Sequence, residues 1–164
     1  MTEVEEALAR SASEFAERAH KGQTRKGSSR PYIVHPDDVV RRLQRHGFRE
    51  DVVLICAAWL HDTMEDCDVP KVTLVERFGQ EIADVVEEVT HDNAMSKPDR
   101  VAALLKKAPT LSVRAKLIKL ADKTSNLVDL IQHPPGWRQD SIAGYARSAA
   151  EPWKKPRNSV IASE

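Results

Sequence analysis

The 164-residue sequence predicts an all-α protein, a bundle of about eight helices. Apolar residues recur at intervals of three and four through nearly every hydrophobic segment, and no segment alternates as a half-buried strand does. Capping residues precede several segments, and Gly or Pro separates others. Because we find neither an internal repeat nor a linker, we expect a single domain over residues 1–164.

Each helix follows from this spacing and from its end signals. Thr73 and Glu76 have the spacing of a capping box, Gly79 can end that short helix, and Ser96 and Ser112 can cap later ones. A loop over 21–35 separates the first two helices, and the tail over 152–164 should be irregular. The predicted helices cover residues 3–20, 36–46, 50–61, 73–79, 80–90, 97–107, 113–131 and about 138–150.

Composition argues against several classes of protein. Lys and Arg number 25, as do Asp and Glu, so no overall field favours nucleic acid or a membrane surface. No apolar stretch approaches the ~20 residues that a membrane helix needs, and the start lacks the features of a signal peptide. Two cysteines, Cys56 and Cys67, are too few for a disulfide framework. We expect a cytoplasmic protein, whose oligomeric state stays open.

Polar groups stand where a helical core would place apolar ones. His61 and Asp62 end the apolar run 52–60, and Asp122 and Asn126 share one face of an otherwise apolar helix. Buried polar groups need partners, and a set of imidazoles and carboxylates suits Mn²⁺, Fe²⁺ or Zn²⁺ better than Ca²⁺. Spacing alone leaves capping and hydrogen-bonding roles open, because His91 and Asp92 form a second adjacent pair.

The order of these residues resembles that of the HD-domain phosphohydrolases. The resemblance is closest to the small single-domain alarmone hydrolases of the RelA/SpoT type, and its motifs span residues 15–131. Four stretches carry it: 19–26 with 31–36, the HDTMED run 61–66, 78–83 with 89–90, and 119–130. This likeness implies an HD-domain fold and a divalent transition metal, Mn²⁺ in that family, bound by His35, His61, Asp62 and Asp122.

The same resemblance makes Glu65 and Asp66 the catalytic carboxylates. If the chain stays helical past His61, Glu65 lies one turn from His61 and Asp66 one turn from Asp62. Glu65 is then the candidate to position or deprotonate the attacking water, and Asp66 to assist it. Alternatively, Asp66 forms a capping box with Thr63, which does not exclude catalysis.

A locally basic loop is the candidate substrate contact. Residues 21–36 include no acidic side chain, and Arg25 and Lys26 can contact phosphates there; the alternative is a solvated loop. The sequence departs from the family at 91–95 and at Ser141, where relatives often have arginine. These departures affect substrate contacts and leave the metal set whole. By resemblance, the pocket is also lined by Lys97, Asn126, Trp137 and Tyr145, of which the last two have packing as an alternative role.

The implied activity is removal of the 3′-pyrophosphate from guanosine tetra- or pentaphosphate, (p)ppGpp, to give GDP or GTP and pyrophosphate. The chain has no room for a synthetase domain, so we expect it to degrade the alarmone without making it. Alternative substrates are the 2′-phosphate of NADPH and nucleoside phosphates. A sensor that binds the alarmone without cleaving it is a further alternative, although it would not need the Glu65–Asp66 pair.

Overall fold

The computed structural model describes residues 1–91, 95–134 and 143–147, apart from the side chains of Lys97 and Val101. Within these ranges the protein is helical and contains no strand, which confirms the all-α prediction. A 3₁₀ turn, Ala108–Thr110, follows the seventh helix, and residues 143–147 are also helical. The eight helices are α1 (Glu3–Ala19), α2 (Val34–Arg45), α3 (Val52–Leu60), α4 (Thr63–Asp66), α5 (Lys71–Phe78), α6 (Gln80–Val89), α7 (Lys97–Lys107) and α8 (Val113–Gln132).

Helix α3 is the centre of the bundle. Its sequence is apolar on every side, as expected of a helix surrounded by protein, and it packs against α1, α2, α6 and α8. Leu54 and Cys56 are fully buried, the latter as a free thiol. Because α3 is enclosed, His61, which directly follows its last residue, lies in the interior between α2 and α8.

Helix ends follow local chemistry, with one correction. Ser96 and Ser112 cap α7 and α8 through their side-chain oxygens, as predicted. The predicted capping box of Thr73 and Glu76 is wrong, because α5 already begins at Lys71, directly after Pro70. Proline's fixed φ suits a helix start, where its missing N–H leaves no hydrogen bond unmade.

Two other boundaries bear on the site. Helix α2 begins at Val34, which places His35 in its first turn instead of in the preceding loop. The predicted last helix is described only over 143–147, so Trp137, Ser141 and the tail lie outside the described residues. No helix among the described residues has the length and apolar character needed to cross a membrane.

Candidate active site

Three elements bring four predicted metal ligands together. His35 lies in the first turn of α2, His61 and Asp62 join α3 to α4, and Asp122 lies in the middle of α8. His35 Nε2 lies 3.5 Å from Asp62 Oδ2 and 3.3 Å from Asp122 Oδ1. Both imidazoles and the Asp122 side chain are buried. Packing of distant segments therefore produces the constellation that the sequence order suggested.

Both imidazoles direct their Nε2 atoms to the same interior point. His61 Nδ1 lies 2.8 Å from the carbonyl oxygen of Ala58, which can only accept, so Nδ1 bears the hydrogen. His35 Nδ1 lies 3.1 Å from Ser125 Oγ. An imidazole fixed through one nitrogen presents the other nitrogen's lone pair, as metal-binding histidines do.

His61 Nε2 is the unsatisfied atom of this cluster. Although Asp62 Oδ2 lies 3.0 Å away, the pair lacks hydrogen-bonding geometry, and no other described residue provides Nε2 with a partner. A buried nitrogen without a partner is costly unless something else binds it. Ligand atoms of His35, His61 and Asp62 lie within 4.8 Å of one another. Nitrogen and oxygen donors of this kind fit a divalent transition metal.

Tyr32 is a site residue that the sequence analysis missed. Its hydroxyl lies 2.8 Å from Asp62 Oδ2 and 3.0 Å from Asp66 Oδ2, so one proton is shared between two carboxylates. Burial and these carboxylates raise the pKa of Tyr32 far above its usual value, which keeps it a donor. Burial opposes charge on Asp62 too, but His61 and His35 hold the pKa of that carboxyl well below its usual range.

Asp122 is surrounded by polar neighbours from its own helix. Asn126 Nδ2 donates to Oδ1 over 2.5 Å, and Lys123 Nζ lies 3.1 Å from Oδ2. Burial disfavours the charged carboxylate, but Lys123 and His35 outweigh it, and the pKa of Asp122 lies well below the usual value. Asp122 is thus a buried anion beside His35, and its role as fourth metal ligand stays a prediction.

The two predicted catalytic carboxylates lie on the short helix α4. Glu65 Oε2 accepts a 3.0 Å hydrogen bond from the backbone N–H of His91, and burial raises the pKa of Glu65. Asp66 is exposed and accepts from Tyr32. The alternative capping box is absent: Thr63 Oγ1 donates backwards to the carbonyl of Leu60. A carboxylate with a raised pKa is well suited to take a proton near neutral pH.

The loop over 21–33 is fastened to α8. Arg25 Nε donates to Asp129 Oδ2 over 3.0 Å, and its Nη2 donates to Asn126 Oδ1 over 2.7 Å. Its guanidinium also lies 5.5 Å from the centre of the Tyr32 ring. Arg30 pairs with the other oxygen of Asp129. Arg25 and Asn126 therefore lie together beside the four predicted metal ligands, which are called the metal cluster below. Arg25 already has anionic and amide partners there.

The remaining predicted substrate contacts differ in burial, and some of them lie outside the described residues. Lys26 is exposed on the loop. Tyr145 is partly buried, and burial raises its pKa. The charge of Lys123 lowers this pKa and the charge of Asp122 raises it, so Tyr145 lies near these two residues of α8. Lys97 begins α7, but its side chain, like the whole of Trp137, lies outside the description.

Comparison with known proteins identifies the family of this chain. The HD domain profile matches residues 12–148. Guanosine-3′,5′-bis(diphosphate) 3′-pyrophosphohydrolase MESH1 of Xenopus tropicalis is 40% identical over 159 residues, which cover 94% of this chain and 89% of the relative. The human MESH1 protein is 41% identical over 142 residues, covering 85% and 79%.

A solved structure has a similar fold. It is described as a metazoan ortholog of SpoT that hydrolyses ppGpp and plays a role in starvation responses. It superposes with a TM-score of 0.82 at 33% identity, covering 90% of this chain and 86% of that one. The chain belongs to the HD domain family, in the group that contains the MESH1 proteins.

Proposed function

We propose that this protein is a divalent-metal-dependent phosphohydrolase that removes the 3′-pyrophosphate from (p)ppGpp, releasing GDP or GTP and pyrophosphate. The observation that carries the proposal is the buried, unsatisfied His61 Nε2 facing Asp62, with the carboxylate of Glu65 on the short helix that follows. The activity in the names of its MESH1 relatives supports this substrate.

His35, His61, Asp62 and Asp122 would hold the ion, and we propose Mn²⁺ as that ion. A bound divalent metal would lower the pKa of a water molecule and offset negative charge on the phosphate. Two imidazole nitrogens and two carboxylates form a donor set that Mn²⁺ accepts. Asn126 and Lys123 hold the Asp122 carboxylate in place from its own helix.

Glu65 acts as the general base in this proposal. Burial raises the pKa of its carboxyl towards the working pH, where a base can both be ionised and accept a proton. Asp66 assists by keeping the attacking water oriented, and the shared Tyr32 hydroxyl fixes the distance between Asp66 and Asp62. Proton acceptance is thus assigned to Glu65 and metal binding to Asp62, while the Tyr32 phenol connects Asp62 to Asp66.

Arg25, Lys26 and Asn126 would contact the nucleotide, with Lys97, Trp137 and Tyr145 completing the pocket. Arg25 is a planar donor suited to phosphate, but it holds Asp129 and Asn126 in the free protein. Binding would therefore exchange these partners for phosphate oxygens. We also propose a cytoplasmic protein that forms one domain and binds no nucleic acid.

The decisive experiment compares substrates on one preparation. Purified protein reconstituted with Mn²⁺ should release pyrophosphate and GDP in equal amounts from ppGpp, measured by chromatography and a pyrophosphate assay. NADPH and GTP serve as competing substrates under the same conditions. Release of inorganic phosphate from NADPH, with ppGpp left intact, would contradict the substrate assignment while preserving the hydrolase assignment. Saturable binding of ppGpp without cleavage would instead support the sensor.

A further inference from the structure

Lys119 is a buried cation that has no role in the proposed mechanism as stated above. It lies on α8 one turn before Asp122, and only 5% of the residue is exposed. Its Nζ lies 2.8 Å from His91 Nε2, close enough to donate a hydrogen bond. Burial lowers the pKa of Lys119, whereas the charges of Asp122 and Glu65 raise it. An ammonium group held inside a protein needs an acceptor, and His91 provides one.

His91 connects this cation to the proposed base. Burial and the nearby Lys119 charge lower the pKa of His91 to about 4, so the imidazole is neutral near pH 7 and Nε2 can accept. The backbone N–H of the same residue donates to Glu65 Oε2 over 3.0 Å. A single residue therefore joins the buried ammonium on one side to the Glu65 carboxylate on the other.

Glu65 needs contacts of this kind because its own element is short. Helix α4 has four residues, and its N-terminal position receives no side-chain cap. Arg100 Nη1 of α7 lies 3.8 Å from Glu65 Oε1, so the two carboxylate oxygens face two different elements. A base must hold its orientation to within a small fraction of a hydrogen-bond length to be effective.

We propose that Lys119 and His91 form a positioning pair that fixes the Glu65 carboxylate for proton transfer. The inference rests on the proposed function, in which Glu65 is the base. Lys119 acts through His91 and does not touch the reacting atoms. Its removal should therefore lower kcat while leaving KM and the metal content near those of the wild type.

Lys119→Met tests the pair, because methionine keeps most of the apolar side chain and removes the ammonium group. We expect kcat for ppGpp to fall by about 10- to 100-fold, since misplacement by ~1 Å can cost about 10²-fold. KM should change by less than roughly threefold, because uniform substrate binding is not affected. Lys116→Met is the matched control on the same helix. Its Nζ donates to the exposed carbonyl of Pro109, and the variant should behave as wild type.

A double-mutant cycle separates positioning from a general structural effect. In the Glu65→Gln background, Lys119→Met should cost less than about twofold, because its target has already been disabled. An undiminished loss in that background, a tenfold rise in KM, or loss of metal would overturn the proposal. If Lys119→Met does not fold, His91→Leu should reproduce the loss in kcat, and His91→Gln, which keeps an acceptor, should restore it.

A measurement without substrate keeps the pair testable if the proposed function fails. Proton NMR of the histidine ring should find His91 titrating at about 4 in the wild type. In Lys119→Met the pKa should rise, because a neighbouring positive charge has been removed. An unchanged titration would overturn the Lys119–His91 contact. Absence of ppGpp turnover in the wild type, with the shift present, would instead reject the proposed function alone.

Discussion

The metal cluster and the basic loop satisfy their polar groups in opposite ways. In the cluster, two imidazole Nε2 atoms and the Asp62 carboxylate meet in the interior, and His61 Nε2 has no hydrogen-bond partner among the described residues. In the loop, Arg25 and Arg30 are both paired with Asp129, and Arg25 is also bound to Asn126. The cluster lacks a hydrogen-bond partner for one nitrogen among the described residues, whereas both arginines of the loop are already paired.

This difference predicts different behaviour on binding. In the cluster, an ion would bind a buried nitrogen that has no hydrogen-bond partner among the described residues, so binding there should stabilise the fold. The loop must give up the Arg25–Asp129 pair to contact a phosphate, so substrate affinity is a difference between two sets of charge-assisted hydrogen bonds. Mutations in the cluster should therefore remove function, whereas mutations in the loop should only adjust it.

The largest effect is expected at the cluster. His61→Ala should lose the metal and reduce turnover to the background of the assay, because it removes a ligand atom that is already oriented by Ala58. Elemental analysis and a ppGpp assay measure both results. Chelation of the wild type should also lower the melting temperature, because the ion binds only the folded state.

His46→Ala is the matched control, since His46 is exposed at the end of α2. It should keep metal and turnover. Full metal occupancy in a His61→Ala, Asp62→Ala double variant would remove the cluster as the metal site.

The second effect separates chemistry from metal binding. Glu65→Gln keeps an oxygen to accept from His91 N–H but cannot take a proton. We expect kcat to fall by roughly 10²–10⁴-fold, the usual contribution of general base catalysis, with metal content unchanged. Glu76→Gln, at an exposed glutamate of α5, is the control. Normal turnover in Glu65→Gln would assign the base to another group.

The third effect concerns the loop. Arg25→Ala should raise KM and lower kcat/KM by about tenfold or more, because a charge-assisted hydrogen bond contributes ~1.5–3 kcal/mol. The Arg25 side chain is only 12% exposed, so added salt should change this loss little. Lys21→Ala, at an exposed position of the same loop, should have a small effect. Unaltered steady-state kinetics for Arg25→Ala would leave Arg25 with only its structural contacts to Asp129 and Asn126 and would remove it from the substrate site.

The smallest effect is a pH dependence of stability at the edge of the cluster. The pKa of His91 is about 4 in the folded protein, below the usual ~6.5 of the unfolded chain. The unfolded state therefore binds a proton more tightly, and stability present above pH ~6.5 should be lost as pH falls towards 4. Denaturant unfolding should find a loss of at most about 3 kcal/mol from this residue, reduced by solvent screening of its exposed part. His91→Gln should remove that part of the dependence; the same slope in both proteins would contradict it.

Much of the fold could be predicted because helical periodicity and caps are local. Each of the eight predicted helices overlaps a helical segment of the structure, the last of them over 143–147, and Ser96 and Ser112 cap as expected. The error at Thr73 has a local cause as well: Pro70 starts α5 three residues earlier than the capping-box spacing suggested. The helix ends at Gly79 as predicted, where φ is 87°.

The residue types of the site could also be predicted. An imidazole and carboxylates in apolar helices cannot be buried without partners, so His61, Asp62 and Asp122 signalled a shared site before any coordinates. Lys119 gave the same signal, because it interrupts an apolar stretch three residues before Asp122.

Which of these groups meet depends on how the helices pack. Arg25 and Asp129 are 104 positions apart, and Glu65 and His91 are 26 apart. Their contacts depend on how α4, α8 and the loop pack, which local periodicity does not specify. Periodicity and end signals are local, so they predict the helices and the polar residues that had to be buried. Packing determined that Tyr32 bridges two carboxylates and that Arg25 is paired, because each is a distance between separate segments. Packing also buried His61 Nε2 where no described residue forms a hydrogen bond with it.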